Sequence, residues 1–224
     1  MTKIFLMGSE SINSEMRELL NGKAEFTEEI GSAELVFNTS NFPEYEKSEE
    51  LQYIESQTPA NVPIFTSSLC YSVSDQCALQ AQPERLIGIG LYDTFSKAKR
   101  IEIAPSKITH PEILKNAEKF LHEAGINYSI VPDRVGMIFP RIVSMIINEA
   151  VQVYSEQIAS KEDIDTAMKL GTNYPFGPLE WADRLGAGLV YNILAGLQRD
   201  FGEDRYRPHP TLKEMVKLNK KFYE

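Results

Sequence analysis

The sequence predicts an α/β layer followed by an all-α half, with the change near residue 131. Two observations predict it. Up to that point short apolar runs alternate with helical patterns, the mark of strands and helices layered together. From residue 136 onward no strand signal appears. The expected strands are "KIFLMG" (3–8), "AEFTE" (24–28), "ELVFNT" (34–39), "VPIFTS" (62–67), "RLIGIGLY" (85–92), "KRIEIA" (99–104) and "INYSIV" (126–131). Between them helices are expected at 11–20, 46–57, 72–80 and 110–124. The last is the clearest. Pro111 stands near its first position, Ile113, Leu114, Ala117, Phe120 and Leu121 form its apolar stripe, and Gly125 ends it.

The second half is expected to hold helices near 137–156, 161–171, 178–199 and 211–221. The first of these, "MIFPRIVSMIINEAVQVYSE", is apolar on almost every side, which predicts burial between helices or at a subunit contact. Pro140 fits a first turn, where its missing N–H has no intrahelical partner anyway. In "SKEDIDTAMKLG", Ser160 is placed to cap the next helix, Asp163 to act as a capping-box acid and Gly171 to stop it. "YPFGPLEWAD" then reads as a turn through Gly177 and Pro178 into another helix. By this reading the acids of the region are helix caps and solvated faces.

Composition narrows the function. A chain of 224 residues with 42% hydrophobic and 25% charged residues is ordinary for a globular protein holding one large or two modest domains. A formal net charge of −9 disfavours binding to nucleic acid or to an acidic membrane surface. The apolar run "IFLMG" is too short for a signal-peptide core or a membrane span. Cys70 and Cys77 are the only cysteines, so packing in a reducing cytoplasm is their expected role. His110, His122 and His209 are scattered, and no metal-ligand spacing is visible.

A resemblance carries the reading further. "INEA" (147–150), "SKEDIDTAMKLGTNYPFGPLEWAD" (160–183) and "LG" (185–186) resemble the C-terminal domain of the 3-hydroxyacyl-CoA dehydrogenase family. "TSSL" (66–69), "RLIG" (85–88) and "IE" (101–102) match the same family in the same order. The resemblance implies a shortened Rossmann-like N-terminal domain (1–131) and an all-helical, dimerisation-type C-terminal domain (132–224). It also implies a homodimer, an acyl-CoA-like ligand, and NAD as the family's hydride acceptor.

The resemblance also implies a site. Its motif after "RxxG" runs xHFFNP, with the histidine as general base and a glutamate twelve residues on that orients it. Aligning "RLIG" puts Gly90 at the histidine, Leu91 and Tyr92 at the aromatics, Asp93 at the asparagine and Glu102 at the glutamate. The orienting acid is present and the base is absent. A positioned base is worth about 10²–10⁴ in rate. Asp93 or Tyr92 is a candidate substitute, although neither starts with a suitable pKa. Glu102 also reads simply as a solvated acid on an edge strand. The family's N-T-S-S becomes "FTSS", with Phe65 in place of the asparagine and Ser67 either a substrate-side hydroxyl or a turn residue. D-x-P-G-F-x-x-N-R becomes "DRVGMIFPR", keeping Asp133, Gly136 and Arg141 but placing Pro140 at the family's asparagine.

The cofactor signal is weak as well. A dinucleotide fold calls for G-x-G-x-x-G after its first strand. Here "MGSESINSE" keeps Gly8 but has Glu10 and Asn13 at the other two places. Glu28, twenty residues after Gly8, stands near where a ribose-binding acid is expected. The stretch from "AEFTEE" to "GSAELVFNT" leaves no room for the strand and helices that the family places there. The expectation is a catalytically degenerate family member with no NAD or weakly bound NAD. Two alternatives stay open: an active NAD-dependent 3-hydroxyacyl-CoA dehydrogenase with relocated residues, and different chemistry built on Glu102, Asp93 and Tyr92.

Overall fold

The computed structural model describes residues 1–41, 44–98 and 100–223, apart from the side chains of residues 44 and 45. It divides into two compact units, Met1–Met137 and Ile138–Glu224. The boundary falls later than the 131/132 read from the sequence, because residues 132–137 are tied to the first unit. The Asp133 carboxylate accepts N–H bonds from Val73 and Ser74 at 2.7 and 2.8 Å, and Gly136 N donates to Leu69 O at 2.9 Å. Val135 and Met137 are buried with them.

The first unit is a seven-stranded sheet: β1 (Lys3–Met7), β2 (Glu25–Phe26), β3 (Leu35–Asn38), β4 (Ile64–Ser67), β5 (Leu86–Ile89), β6 (Ile101–Pro105) and β7 (Tyr128–Ile130). All seven expected strands are present, most of them shorter than their apolar runs. The sixth was expected to start at Lys99, which lies outside the described residues. The spatial order is β2-β1-β3-β4-β5-β6-β7, and only the β5–β6 pair is antiparallel. Glu102 therefore does not sit on an edge strand, because β6 pairs on both sides.

Strands β3, β4 and β5 are buried on every residue, as parallel strands covered on both faces must be. Alternation assigns the faces. Leu35, Phe37, Phe65 and Ile87 pack with α1 (Glu10–Leu19) and α4 (Pro111–Glu123). Val36, Ile64 and Leu86 pack on the other side with α2 (Glu44–Gln57) and α3 (Val73–Cys77). Phe37 stacks on Phe65 with ring centroids 5.0 Å apart and meets Phe120 of α4 edge-on. α3 is shorter than the expected 72–80 and carries a capping box between Ser72 and Asp75. Cys70 and Cys77 are both buried thiols.

The second unit is helical among its described residues: α5 (Phe139–Ser155), α6 (Lys161–Thr172), α7 (Pro178–Leu185), α8 (Ala187–Phe201) and α9 (Pro210–Leu218). Two expectations need correction. The helix expected at 178–199 is two helices, broken at Gly186, whose φ of +84° suits glycine and does not continue a helix. Gly171 does not stop α6, which runs to Thr172 and ends on Asn173 in the left-handed region. Helix α5 is buried along one face within the chain. Pro140, Val143, Ile147, Ala150 and Val151 face the unit's core, while Ile138 just before it and Ile142 are 49% and 55% exposed. No helix among the described residues is long and apolar enough to cross a membrane.

Candidate functional site

The antiparallel β5–β6 hairpin brings Gly90 and Glu102 together. Its register pairs Ile89 with Ile103, and one step on Gly90 N donates to Glu102 O at 2.9 Å. A Cβ built on Gly90 would lie 3.8 Å from the Glu102 Cβ and 3.0 Å from Met137 Sδ. The two positions aligned with the family's base and its orienting acid are thus direct cross-strand neighbours. Gly90 does not take a left-handed backbone conformation, so nothing in the backbone demands glycine there. The position simply lacks a proton acceptor. Tyr92, two residues on, has its hydroxyl pushed up to about 12 by burial, with Glu102 and Glu15 adding to the shift. That makes it a poor base at neutral pH.

Gly8 closes β1 with φ +114°, and a Cβ there would meet Ser40 N at 2.5 Å and Thr39 Oγ1 at 2.9 Å. Glycine is required because the chain leaving β3 crosses directly over it. Thr39 N and Thr39 Oγ1 both donate to Met7 O, at 2.7 and 3.0 Å. The Thr39 hydroxyl also reaches the Asn13 Oδ1 at 2.8 Å. Asn13, standing at the family's third glycine, is therefore a buried tie between α1 and the end of β3. Glu10 does not put its charge over the helix end. It is exposed and pairs along the outside of α1 with Arg17 at 2.9 Å.

The acid at the start of α1 comes from elsewhere. Ser11 Oγ donates to Asp93 Oδ1 at 2.6 Å, and the Glu15 carboxylate accepts Thr94 N at 2.9 Å, Ser96 N at 2.8 Å and the Ser96 hydroxyl. Glu28, the expected ribose acid, lies exposed two residues past β2. Ser67 ends β4 buried, and its hydroxyl donates to Asn41 Oδ1, whose amide reaches Leu91 O at 3.4 Å. Beside it Lys47 is buried, with Nζ donating to Asn38 Oδ1 at 2.7 Å and Ser40 O at 2.5 Å. Burial pulls the Lys47 ammonium down to about 7, with Glu50 opposing the shift. Neither Lys47 nor Asn41 carried a signal in the sequence.

The remaining motif residues do structural work. Asp133 caps α3, as described above. Arg141 reaches the Tyr206 hydroxyl and lies 4.8 Å over the Phe201 ring, which fastens α5 to the end of α8. Pro140 occupies the second position of α5. Ser160 accepts the Asp163 N–H at 3.1 Å and caps α6 as expected. Asp165 explains the glycine-proline turn. Its carboxylate accepts Leu179 N at 2.8 Å and Glu180 N at 3.0 Å, capping α7 from a neighbouring helix, while the Tyr223 hydroxyl donates to it at 2.9 Å. A Cβ on Gly177 would collide with the Asp165 side chain, so only glycine fits under that cap.

The first turn of α1 is where the family pattern would hold the phosphates of NAD. A dinucleotide needs open backbone N–H groups there and no competing anion. In this chain the Asp93 carboxylate is bonded to the Ser11 hydroxyl in that turn, and the loop that carries it is tied to Glu15 one turn further on. Among the described residues no cluster of histidine, cysteine or acids is arranged to hold a metal.

A seven-stranded, almost wholly parallel sheet followed by a helical unit is an α/β architecture with an added helical unit. The comparisons name it. A family model described as 3-hydroxyacyl-CoA dehydrogenase, C-terminal domain, matches residues 136–222. A 3-hydroxybutyryl-CoA dehydrogenase of Clostridioides difficile is 35% identical over 158 residues, 69% of this chain and 54% of that protein. The 3-hydroxyadipyl-CoA dehydrogenase of Escherichia coli is 39% identical over 120 residues, 54% of this chain and 25% of that one. The structure of (S)-3-hydroxybutyryl-CoA dehydrogenase from Ralstonia eutropha superposes with a TM-score of 0.79 at 20% identity, covering 97% of this chain and 94% of that one. The protein belongs to the 3-hydroxyacyl-CoA dehydrogenase family. Its match spans about half the length of the first of these curated relatives and a quarter of the second.

Proposed function

We propose that this chain is a catalytically retired member of the family that keeps its scaffold and does not oxidise 3-hydroxyacyl-CoA. One observation carries the reading: Gly90 is hydrogen-bonded across the hairpin to Glu102, so the acid has kept its place and faces a residue with no proton acceptor. Loss of a positioned base alone costs about 3–5 kcal/mol of barrier. The candidate substitutes do not restore it. Asp93 is engaged by Ser11, and Tyr92 holds its proton up to about 12. The short passage from β2 to β3, residues 27–34, supports a reduced N-terminal domain in which the family's CoA-facing segment has no counterpart.

The remaining role is binding. A homodimer through the helical unit is supported by the exposed apolar side chains Ile138, Phe139 and Ile142 at the start of α5, an arrangement that favours burial against a partner. An acyl-CoA-like metabolite is the ligand class that the family scaffold favours. Two buried thiols and the acidic charge suit a cytoplasmic setting. The decisive assay is oxidation of NADH with acetoacetyl-CoA by the unmodified chain. No turnover above buffer is expected, and enzyme-like turnover would return the chain to the active dehydrogenases. Sedimentation at micromolar concentration tests the dimer, which a monomer would rule out.

A further inference from the structure

The family pattern puts a cofactor phosphate at the first turn of α1, and the chain brings a carboxylate of its own to the Ser11 side chain in that turn. The segment from Leu91 to Ala98 is held on three sides. Phe95 is buried in the core that α1 and β1 share, and Leu91 is buried with it. Asp93 takes the Ser11 hydroxyl at 2.6 Å within the first turn of the helix. One turn further, Glu15 receives the Thr94 and Ser96 N–H groups and the Ser96 hydroxyl. Thr94 has φ +74°, a left-handed conformation that a β-branched residue adopts only when its surroundings hold it. Those two amides converging on one carboxylate are what hold it.

The electrostatics agree. The N-terminal turn of a helix has unsatisfied N–H groups and a positive partial charge, which favours an anion. Ser9 makes no side-chain cap bond to them. The carboxylate brought to that turn is Asp93, from a hairpin loop 82 residues away along the chain. Glu10 and Asn13, which replace glycines of the fingerprint, are turned elsewhere: one toward Arg17 along the helix, the other toward Thr39 beneath it. The loop, and not those two side chains, sets a carboxylate beside the turn, where Gly8, Glu10 and Ser11 stay exposed.

We propose that the 91–98 loop is a built-in electrostatic plug, its Asp93 carboxylate set beside the turn where a cofactor phosphate would sit, so that dinucleotide is repelled while the loop is docked. This deepens the reading of a retired catalyst and rests on it only in part, since exclusion and loss of the base are separable. The test is calorimetric titration with NAD⁺ of the unmodified chain and of E15A/D93A, with hydrogen exchange at the Thr94 and Ser96 amides followed in both. The unmodified chain should give no saturable heat and protected amides. The double variant should lose that protection and gain at least tenfold in NAD⁺ affinity, with S11A moving the same way by less. Release of the loop without a gain in affinity would overturn the plug. So would micromolar binding by the unmodified chain with both amides still protected, or amides that stay protected in E15A/D93A. Acetoacetyl-CoA turnover by E15A/D93A would leave the plug standing and sink the retired-catalyst reading. If E15A/D93A does not fold, S11A, which removes one hydroxyl, decides the matter by the same two readouts.

Discussion

Replacing Gly90 by histidine rebuilds the residue pair that the family pattern calls for, and the geometry says what the new imidazole should feel. The backbone accepts the change, since Gly90 is not left-handed. The new Cβ sits at ordinary contact from the Glu102 Cβ, 3.8 Å, and at 3.0 Å from Met137 Sδ. That sulfur is near the end of a flexible side chain and needs to give by only a few tenths of an ångström. Two opposite charges about 4 Å apart interact by roughly 4 kcal/mol at an effective dielectric near 20. Glu102 is only half-buried, so solvent screening reduces this to about 1–2 kcal/mol, or about one pKa unit. The sign follows: a neighbouring carboxylate favours imidazolium, so the ring introduced by G90H should titrate at about 7.5, against an ordinary value of about 6.5. The assay is an NMR titration of the ring protons in G90H and in G90H/E102Q, with His110, His122 and His209 as internal references. The double variant should bring the value back by about one unit. Equal values in the two variants would refute the claim that Glu102 is still aimed at the missing base. G90H alone should show no dehydrogenase turnover, because it leaves Glu10 and Asn13 at the fingerprint's glycine positions and Asp93 beside Ser11.

Other consequences are open to simpler measurement. Lys47 has its folded pKa lowered from 10.5 to about 7, so the unfolded chain binds more protons between those values and stability should rise with pH there. The slope is up to about 1.4 kcal/mol per pH unit, read between about pH 7 and pH 9 by urea unfolding. Above that the raised thiol of Cys77, at about 11, and Tyr92, at about 12, turn the curve down. K47M should flatten the rise, and an unchanged slope would show that the lysine is not the cause. Asp165→Ala removes the acceptor of two N–H groups at the start of α7 and of the Tyr223 hydroxyl. It should cost about 3–5 kcal/mol, seen as a lower urea midpoint, while Asp165→Asn should fall between it and the unmodified chain. Gly8→Ala sets a methyl 2.5 Å from backbone at a positive φ. It should destabilise the chain by more than the roughly 1 kcal/mol of an ordinary loop change, and a neutral result would contradict the close crossing of β1 and β3.

Much of the architecture was legible because it depends on local chemistry. Apolar runs of four to eight residues bounded by polar turns fixed the seven strands, and the Ser160 and Pro111 signals fixed two helix starts. Where the reading failed, the cause was local as well. Gly186 falls within an apolar helical pattern, and periodicity does not reveal a positive φ. The apolar girth of α5 predicted burial between helices or at a subunit contact, and which side has a neighbour within the chain depends on how many helices pack beside it.

The site divides in the same way. The residue types at positions 8, 90 and 102 were decided by the sequence alone, and with them the absence of a base beside the surviving acid. Distances along the chain hid the rest. Ser11 meets Asp93 across 82 residues, Glu15 meets Thr94 across 79, and Lys47 is buried against Asn38 only because α2 folds back over β3. Side chains that short-range patterns class as solvated become ties and caps once the sheet closes. Hydrogen bonding is specific to orientation and separation in space, and neither is encoded by proximity in sequence.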